Sequence, residues 1–264
     1  MINARFVYIV HELQLFGFAA TEPLLSPDAC DAISQTLATY EDGHGSSGGI
    51  RNLLDIPVIQ NLATAGPVRM IAEAVLGSHC FAVRGILFDK VPGANWKAGW
   101  HQDLIIAVRE KREVPGYEAW SEKAGVVHVR PPEDVLKRIV SIRLHLDECG
   151  EDNAPLRVLS GSHRRGILDD VALDATVRSE ESVAVTCTAD RGTLLIMKPL
   201  LLHASSAAIN PTHRRVVHLD FAADELPGGL QWHWRVCGAS SQETINDTVR
   251  TLPGKTFRQR SKRL

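Results

Sequence analysis

The sequence predicts a mainly β fold with N-terminal helices, organised as one domain over 1–264. Residues 1–77 have a mostly helical pattern. From Cys80 onward, short β-prone runs follow one another, separated by turn residues. Strands that succeed one another without intervening helices favour an antiparallel sandwich or barrel over a parallel βαβ sheet. We therefore expect a helical layer packed on a β core at 80–222.

The composition is that of an ordinary globular protein. Of its 264 residues, 44% are hydrophobic and 23% charged, and the formal net charge is −2. Such a balance gives no reason to expect nucleic acid or an anionic membrane as a partner. No apolar run reaches membrane-spanning length, and the five cysteines form no Cys-x-x-Cys pair, so a reducing cytoplasm is expected. The sequence does not indicate an oligomeric state.

Two helical regions are predicted before the β core. Ser26-Pro27-Asp28 has the residues of a helix start, with Ser as N-cap and Pro at the first helical position, and this helix should run over 27–42. The Gly- and Ser-rich stretch 43–49 is predicted to be a loop. A second helical region, 58–76, is interrupted at Gly66-Pro67 and ends before Gly77.

The strands are predicted from β-prone runs bounded by turn residues. The first covers 81–91 and stops at Pro92-Gly93, and the second begins at Trp100 and continues through the apolar run ending at Val108. The later strands are expected at 139–146, 156–159, 182–187, 193–197 and 214–221. The polar, Pro-bearing segment 109–138 is predicted to be an insertion or a mobile lid.

The second strand contains a candidate pair of metal ligands. In the run Trp100-His101-Gln102-Asp103, alternation along a strand places His101 and Asp103 on one face and Gln102 on the other. Their Cα atoms would then lie roughly 6–7 Å apart, so an imidazole and a carboxylate can share a metal ion. An isolated His-x-Asp is a weak signal that needs a third ligand.

His203 is the candidate for that third ligand. It follows three leucines at 200–202, and a histidine at the end of an apolar strand is commonly a satisfied core residue. Ser205 and Arg214, two and eleven residues further on, favour a functional role. On a strand, Arg214 shares a face with Val216, His218 and Asp220, opposite Val217, Leu219 and Phe221. An arginine on such a polar inner face needs an anion as partner.

Together these motifs resemble the phytanoyl-CoA dioxygenase family of Fe(II)/2-oxoglutarate oxygenases. The resemblance rests on the His101-Gln102-Asp103 run, on the 153–164 region around Gly161-Ser-His-Arg, and on His203 with Ser205 and Arg214 behind it. It extends over roughly 80–222. The fold that it implies is a double-stranded β-helix, which is a jelly-roll, cupin-like architecture.

The resemblance also implies the chemistry. His101, Asp103 and His203 would hold Fe(II) as the catalytic centre, a two-histidine, one-carboxylate set that leaves coordination positions open. The co-substrate 2-oxoglutarate would bind through Arg214 and Ser205, and O₂ would complete the reaction. The expected activity is hydroxylation of a C–H bond of a small organic substrate, with release of succinate and CO₂.

Further cofactor-binding candidates are basic residues on inner strand faces. Arg84 and Lys90 share a face of the first strand, and Arg143 shares a face of the 139–146 strand with His145. The family position suggests that Arg143 lies near the co-substrate or the substrate. For each of the three, a solvent-facing strand residue is the alternative. His163 is interpreted as structural.

Three other functions use similar ligands. A non-catalytic, cupin-like metal-binding protein would not need the carboxylate-binding Arg214. A related non-haem iron halogenase replaces the carboxylate ligand by a small residue, which the presence of Asp103 disfavours. A zinc hydrolase would leave the arginine unexplained. The substrate is not identified, although the cationic candidates favour an anionic or polar small molecule.

Overall fold

The computed structural model describes residues 4–40 and 50–238. Within them, one α-helix precedes the first strand, three lie between the first and second strands, and two lie between later strands. These helices are α1 (Ala4–Phe16), α2 (Pro27–Ala38), α3 (Pro57–Thr64), α4 (Gly66–Leu76), α5 (Glu133–Lys137) and α6 (Asp170–Glu180). No helix in this part of the chain is both long and apolar enough to cross a membrane.

Thirteen strands form three antiparallel sheets in the same residues. The strands are β1 (Phe18–Ala20), β2 (Phe81–Phe88), β3 (Ala98–His101), β4 (Ile106–Val108), β5 (Glu118–Lys123), β6 (Val126–Arg130), β7 (Val140–His145), β8 (Leu156–Val158), β9 (Val185–Cys187), β10 (Leu194–Met197), β11 (His203–Ser205), β12 (Val216–Ala222) and β13 (Val236–Cys237). The six-stranded sheet has the order β1-β10-β7-β12-β2-β13, the four-stranded sheet β3-β11-β8-β9, and the small sheet β4-β6-β5. This is the predicted mainly β architecture with N-terminal helices, and the larger sheets do not close into a barrel.

The two predicted helical regions are present, although the first ends at Ala38 and not at residue 42. Ser26 caps α2, its hydroxyl accepting a hydrogen bond from the Ala29 amide at 3.2 Å. The second helical region is divided into α3 and α4 at Gly66, where the sequence predicted an interruption. The predicted loop 43–49 and the basic C-terminal residues lie outside the described part of the chain.

The two faces of the six-stranded sheet have different roles. Val217, Leu219 and Phe221 of β12 are buried in one hydrophobic cluster with residues of α1 to α4. The opposite face of β12 carries His218 and Asp220, which lie in register with Arg143 and Ser141 of β7. The helices therefore cover the apolar face of the sheet, and polar side chains collect on its other face.

Several strands are shorter than predicted. The stretch 100–108 is not one strand, because β3 ends at His101 and β4 begins only at Ile106. The first strand ends at Phe88, so Lys90 lies beyond it, and β12 begins at Val216, so Arg214 precedes it. Glu181–Val183 forms a 3₁₀ turn, which shortens the predicted 182–187 strand to β9.

The segment 109–138 has more regular structure than predicted. Its β5–β6 hairpin pairs with β4, and α5 follows. Tyr117, Val129 and Leu136 are buried in a second hydrophobic cluster together with Trp232. The inner half of the insertion is therefore built into the core, and movement as a lid stays a prediction for the outer half alone.

We expect hydrogen exchange to divide this insertion into two parts. Amides of β6 should be strongly protected, because the strand is mostly buried and pairs on both sides, whereas the exposed edge strand β5 should exchange much faster. Exchange mass spectrometry on peptides covering 118–130 measures both. Equal protection of the two strands would contradict this division, and fast exchange throughout would restore a lid that includes β6.

Candidate active site

Three side chains that could hold a metal ion converge where two strands of the four-stranded sheet meet. His203 of β11 lies directly opposite His101 of β3 in the antiparallel register. Asp103 follows β3, and its amide donates a hydrogen bond to the carbonyl of Pro199 at 2.9 Å. One ligand atom from each of the three side chains lies within 4.8 Å of the others. The three side chains selected from the sequence therefore do come together, although Asp103 reaches the site from a loop, and their role as metal ligands stays a prediction.

The two imidazoles are oriented for metal binding. The Nδ1 atom of His101 is 2.7 Å from the carbonyl of Gly99, and that of His203 is 2.9 Å from the carbonyl of Leu201. A carbonyl only accepts, so each Nδ1 carries the proton and each Nε2 keeps a free lone pair. The Nε2 of His203 lies 3.8 Å from a carboxylate oxygen of Asp103. Two imidazole nitrogens and one carboxylate oxygen fit the ligand set of non-haem Fe(II).

The protonation states suit the same purpose. Burial on its own would raise the pKa of the Asp103 carboxyl, but electrostatic interactions with His203, His218 and the Arg84 guanidinium outweigh it and lower the pKa to about 2. Burial, with a contribution from His101, lowers the pKa of His203 to about 3. At neutral pH the site therefore presents an ionised carboxylate and a neutral imidazole, the forms that bind a metal ion.

Gln102 holds this part of the chain in place, which the sequence interpretation missed. Its amide nitrogen donates to the carbonyls of Gly166 at 2.9 Å and Leu200 at 2.7 Å, and its oxygen accepts from the Leu168 amide at 2.9 Å. The side chain is buried, so it ties the ligand loop to two distant segments. The sequence did contain a sign of this role, because strand alternation points Gln102 away from His101 and Asp103, toward an apolar environment where a polar side chain needs hydrogen-bond partners.

A second group of polar residues surrounds Arg214, which is 3% exposed. Its Nη1 donates to the carbonyl of Ala154 at 3.2 Å, and the hydroxyl of Ser205 donates to the same oxygen at 3.2 Å. Ala154 has φ 54°, a left-handed conformation that is uncommon for alanine and that belongs to the 153–164 motif. Within the described residues the guanidinium of Arg214 forms no salt bridge; the carboxylate of Asp89 accepts from the backbone amide of Arg214 at 3.0 Å and acts on its charge from a longer range.

Lys90 completes this group. It is fully buried, and its ammonium donates to the Ser205 hydroxyl at 2.8 Å and to the carbonyl of Ser206. Burial, with the positive charge of Arg214, lowers the pKa of Lys90 to about 8. Two cations and a hydroxyl thus collect beside one another in a dry environment, which is an arrangement suited to a carboxylate.

The neighbouring Arg215 is engaged elsewhere. Its guanidinium binds the carboxylate of Asp147 through two hydrogen bonds of 2.9 and 2.7 Å. Asp147 also accepts from the backbone amide of Arg215 at 2.8 Å. The two adjacent arginines therefore differ, since Arg214 is buried and Arg215 is partly exposed and compensated by an acid.

The polar face of the six-stranded sheet carries a chain of hydrogen bonds. Arg84 donates to Asp220 at 2.6 Å, and Asp220 also accepts from Ser141 at 2.6 Å and from Nε2 of His218 at 2.8 Å. The Nδ1 of His218 then accepts from Nη1 of Arg143 at 3.0 Å. The charge of Arg84 is compensated by Asp220, whereas that of Arg143 meets only a neutral acceptor.

The other predictions can be placed against this geometry. Lys90 and Arg143 are buried and the side chain of Arg84 is 11% exposed, so the solvent-facing alternative is wrong for all three. The carboxylate partner of Arg84 is Asp220, and a role in binding the co-substrate stays a prediction. His163 donates through Nε2 to the carbonyl of Gln14 on α1 at 3.2 Å, as a structural residue does.

Comparison with protein families connects this site to known chemistry. The family model described as phytanoyl-CoA dioxygenase (PhyH) matches residues 13–216, which include all three converging side chains and Arg214. The chain belongs to the phytanoyl-CoA dioxygenase family. It is thus an enzyme of the Fe(II)/2-oxoglutarate oxygenase superfamily, and the predicted use of Fe(II), 2-oxoglutarate and O₂ is confirmed at the level of this family.

Solved structures confirm the jelly-roll fold of this family member. AviO1 from Streptomyces viridochromogenes Tue57 is 21% identical with a TM-score of 0.59, covering 86% of this chain and 98% of its own. EctD from S. alaskensis with bound Fe is 20% identical with a TM-score of 0.63, and the match covers 85% of this chain and 79% of the EctD chain. The α-ketoglutarate-dependent epimerase SnoN from nogalamycin biosynthesis is 14% identical with a TM-score of 0.62, and the match covers 90% of this chain and 94% of the SnoN chain. The search of curated proteins found no match.

Proposed function

We propose that this protein is an Fe(II)- and 2-oxoglutarate-dependent dioxygenase that hydroxylates a C–H bond of a small organic substrate, with His101, Asp103 and His203 holding the iron. The observation that carries the proposal is the convergence of two free Nε2 atoms and one ionised carboxylate within 4.8 Å. When bound, the iron supplies oxygen activation coupled to conversion of 2-oxoglutarate into succinate and CO₂.

The residues around Arg214 would bind the far end of the co-substrate. The guanidinium of Arg214 offers a planar pair of donors that matches the 5-carboxylate of 2-oxoglutarate, and it forms no salt bridge in the described residues. Ser205 and Lys90 lie beside it and can add hydrogen bonds. A carboxylate bound there would neutralise buried cations, so it orients the co-substrate with its keto acid end toward the triad.

Other reactions on the same scaffold are weaker candidates. Similar folds include an epimerase, SnoN, and a carbocyclase, SnoK, both described as α-ketoglutarate-dependent, so the fold does not restrict the outcome to hydroxylation. Halogenation is disfavoured because Asp103 occupies the ligand position that a halide requires. A metal-binding protein without catalysis is disfavoured because Arg214 would then be a buried cation without purpose.

Succinate formation and product analysis test the proposal together. The protein with Fe(II), 2-oxoglutarate and O₂ should form succinate, and candidate substrates should accelerate this and gain one oxygen atom from ¹⁸O₂. An epimerised or cyclised product without added oxygen would replace hydroxylation by one of the other reactions. Absence of iron-dependent binding of 2-oxoglutarate would contradict the whole assignment.

A pH dependence follows from Lys90, which faces Arg214, Arg143 and Cys149. In the free protein the pKa of Lys90 is lowered to about 8, and a bound carboxylate would raise it again by favouring the ammonium form. The affinity for 2-oxoglutarate should therefore be constant well below pH 8 and fall above it, by up to about tenfold per pH unit. Lys90→Met should bind 2-oxoglutarate more weakly and show no such decline. A decline of equal size in both proteins would contradict the role of Lys90.

A further inference from the structure

The buried interior around the triad contains more positive than negative side chains. Four cationic residues lie there, with side chains that are buried or nearly so, namely Arg84, Lys90, Arg143 and Arg214. Among the described residues the carboxylates that act on them are Asp103, Asp220 and, on Arg214, Asp89. Isolated charges are strongly unfavourable away from water, so each excess cation requires an anionic partner from outside the chain.

Most of these charges have a partner under the proposed function. Arg84 is paired with Asp220, and Asp103 is a ligand of the dipositive iron. The two carboxylates of 2-oxoglutarate would then offset the remaining charge of the iron site and that of Arg214. Lys90 lies beside Arg214 and would share the same carboxylate of 2-oxoglutarate, which favours its ammonium form. Arg143 keeps its positive charge whatever the other groups bind, because a guanidinium does not deprotonate in proteins.

The contacts of Arg143 leave it ready to bind an anion. It is 5% exposed, and its one hydrogen bond among the described residues runs from Nη1 to the neutral His218 at 3.0 Å. Its guanidinium lies 5.4 Å from the centre of the Phe88 ring, and its buried Nε has no partner in the described part of the chain. Burial, with the nearby positive charge of Arg214, lowers the pKa of Arg143 to about 10.

Its position lies between the two polar groups of the site. Arg143 lies on the inner face of β7, in register with His218 of β12, which follows Arg214 by four residues and precedes Asp220 by two. The charge of Asp103 also acts on Arg143. His218 is held in turn by Asp220, so the hydrogen bond from Arg143 to His218 fixes the orientation of the guanidinium.

We propose that Arg143 binds a carboxylate of the substrate itself, which makes the substrate of this enzyme a small organic acid. This inference rests on the proposed function, because 2-oxoglutarate and iron are taken to account for the other charges. Arg143 would fix the distance between the substrate carboxylate and the C–H bond that reacts, so it would determine specificity by position as well as by charge.

Acetate and its neutral isostere acetamide test this inference on the intact protein. Both are titrated calorimetrically into the complex with Mn(II) and saturating 2-oxoglutarate, since Mn(II) replaces iron without turnover. Acetate should bind at least about tenfold more tightly than acetamide in the wild-type protein. Acetate should bind to Arg143→Met at least about 30-fold more weakly than to the wild-type protein. The preference for acetate over acetamide should disappear in this variant. The control Arg191→Gln changes an arginine paired with Asp31 and should keep the wild-type preference.

Thermal unfolding separates this role from a structural one. Arg143 is an uncompensated buried cation in the ligand-free protein, so Arg143→Met should leave the melting temperature unchanged or raise it. If Arg143→Met instead unfolds, Arg143→Lys supplies the same comparison, because it keeps the charge and should keep part of the acetate preference. A marked loss of stability in both variants would indicate a structural arginine and overturn the inference.

Two results in the binding experiment would also overturn it. Equal binding of acetate and acetamide in the wild-type complex would show that no anion site remains beside the co-substrate. Weakened binding of 2-oxoglutarate in Arg143→Met, with the acetate preference retained, would assign Arg143 to the co-substrate. A protein that binds neither Mn(II) nor 2-oxoglutarate would instead contradict the proposed function.

Discussion

Replacing Asp103 with alanine should abolish iron-dependent succinate formation while the protein stays folded. Asp103 is the one carboxylate among the three converging side chains, and the two that remain are imidazoles. Loss of residues that merely support a ligand reduces metal affinity by about 10–100-fold, so loss of a ligand should exceed that range. Anaerobic titration with Fe(II) measures the affinity, and steady-state succinate formation measures the turnover.

The fold should tolerate this substitution. Asp103 lies in the loop after β3, its side chain is 23% exposed, and the hydrogen bond to Pro199 uses its backbone amide, which alanine keeps. Asp174→Ala, on an exposed position of α6, serves as the matched control and should bind iron like the wild-type protein. An Asp103→Ala variant with unchanged iron affinity and activity would show that the triad is not the metal site.

The sequence predicted that His101 and Asp103 point the same way because side chains alternate along one strand. The structure changes this explanation in one respect. Strand alternation placed His101 and Asp103 on one face, and both side chains do converge on His203. The backbone nevertheless leaves the strand at His101, because Gln102 turns away to bind three backbone groups on segments more than 60 residues further along the chain. Contacts between residues so far apart in the sequence cannot be predicted from the alternation of side chains within the stretch 100–108.

The acidic partners of the basic residues could not be predicted from the sequence for a similar reason. Arg84 and Asp220 are 136 residues apart and meet because β2 and β12 are neighbours in the six-stranded sheet. Strand order depends on the packing of the whole domain, so the sequence identified both side chains on inner faces without showing that they neutralise one another. Arg143 and Arg215 illustrate the two outcomes, since the first meets no acid in the described residues and the second meets Asp147.

Arg214→Lys should raise the apparent KM for 2-oxoglutarate by a hundredfold or more and leave Fe(II) binding nearly unchanged. Removing one member of a buried, hydrogen-bonded charge pair costs about 3–5 kcal/mol, and lysine keeps the charge of Arg214 without the planar pair of donors that matches a carboxylate. Arg214 is buried, and its Nη1 contacts only the carbonyl of Ala154 among the described hydrogen bonds, so the guanidinium is available for the ligand.

Arg215→Lys is the matched control, since it changes the adjacent residue by the same chemistry. Arg215 is partly exposed and already bound to Asp147 by two hydrogen bonds, and a pair at such a site contributes about 1 kcal/mol or less. This variant should therefore keep the wild-type KM for 2-oxoglutarate. Succinate formation at varied 2-oxoglutarate decides between the two arginines. If both variants behaved alike, or if Arg215→Lys were the sensitive one, the inward orientation of Arg214 would not be what binds the co-substrate.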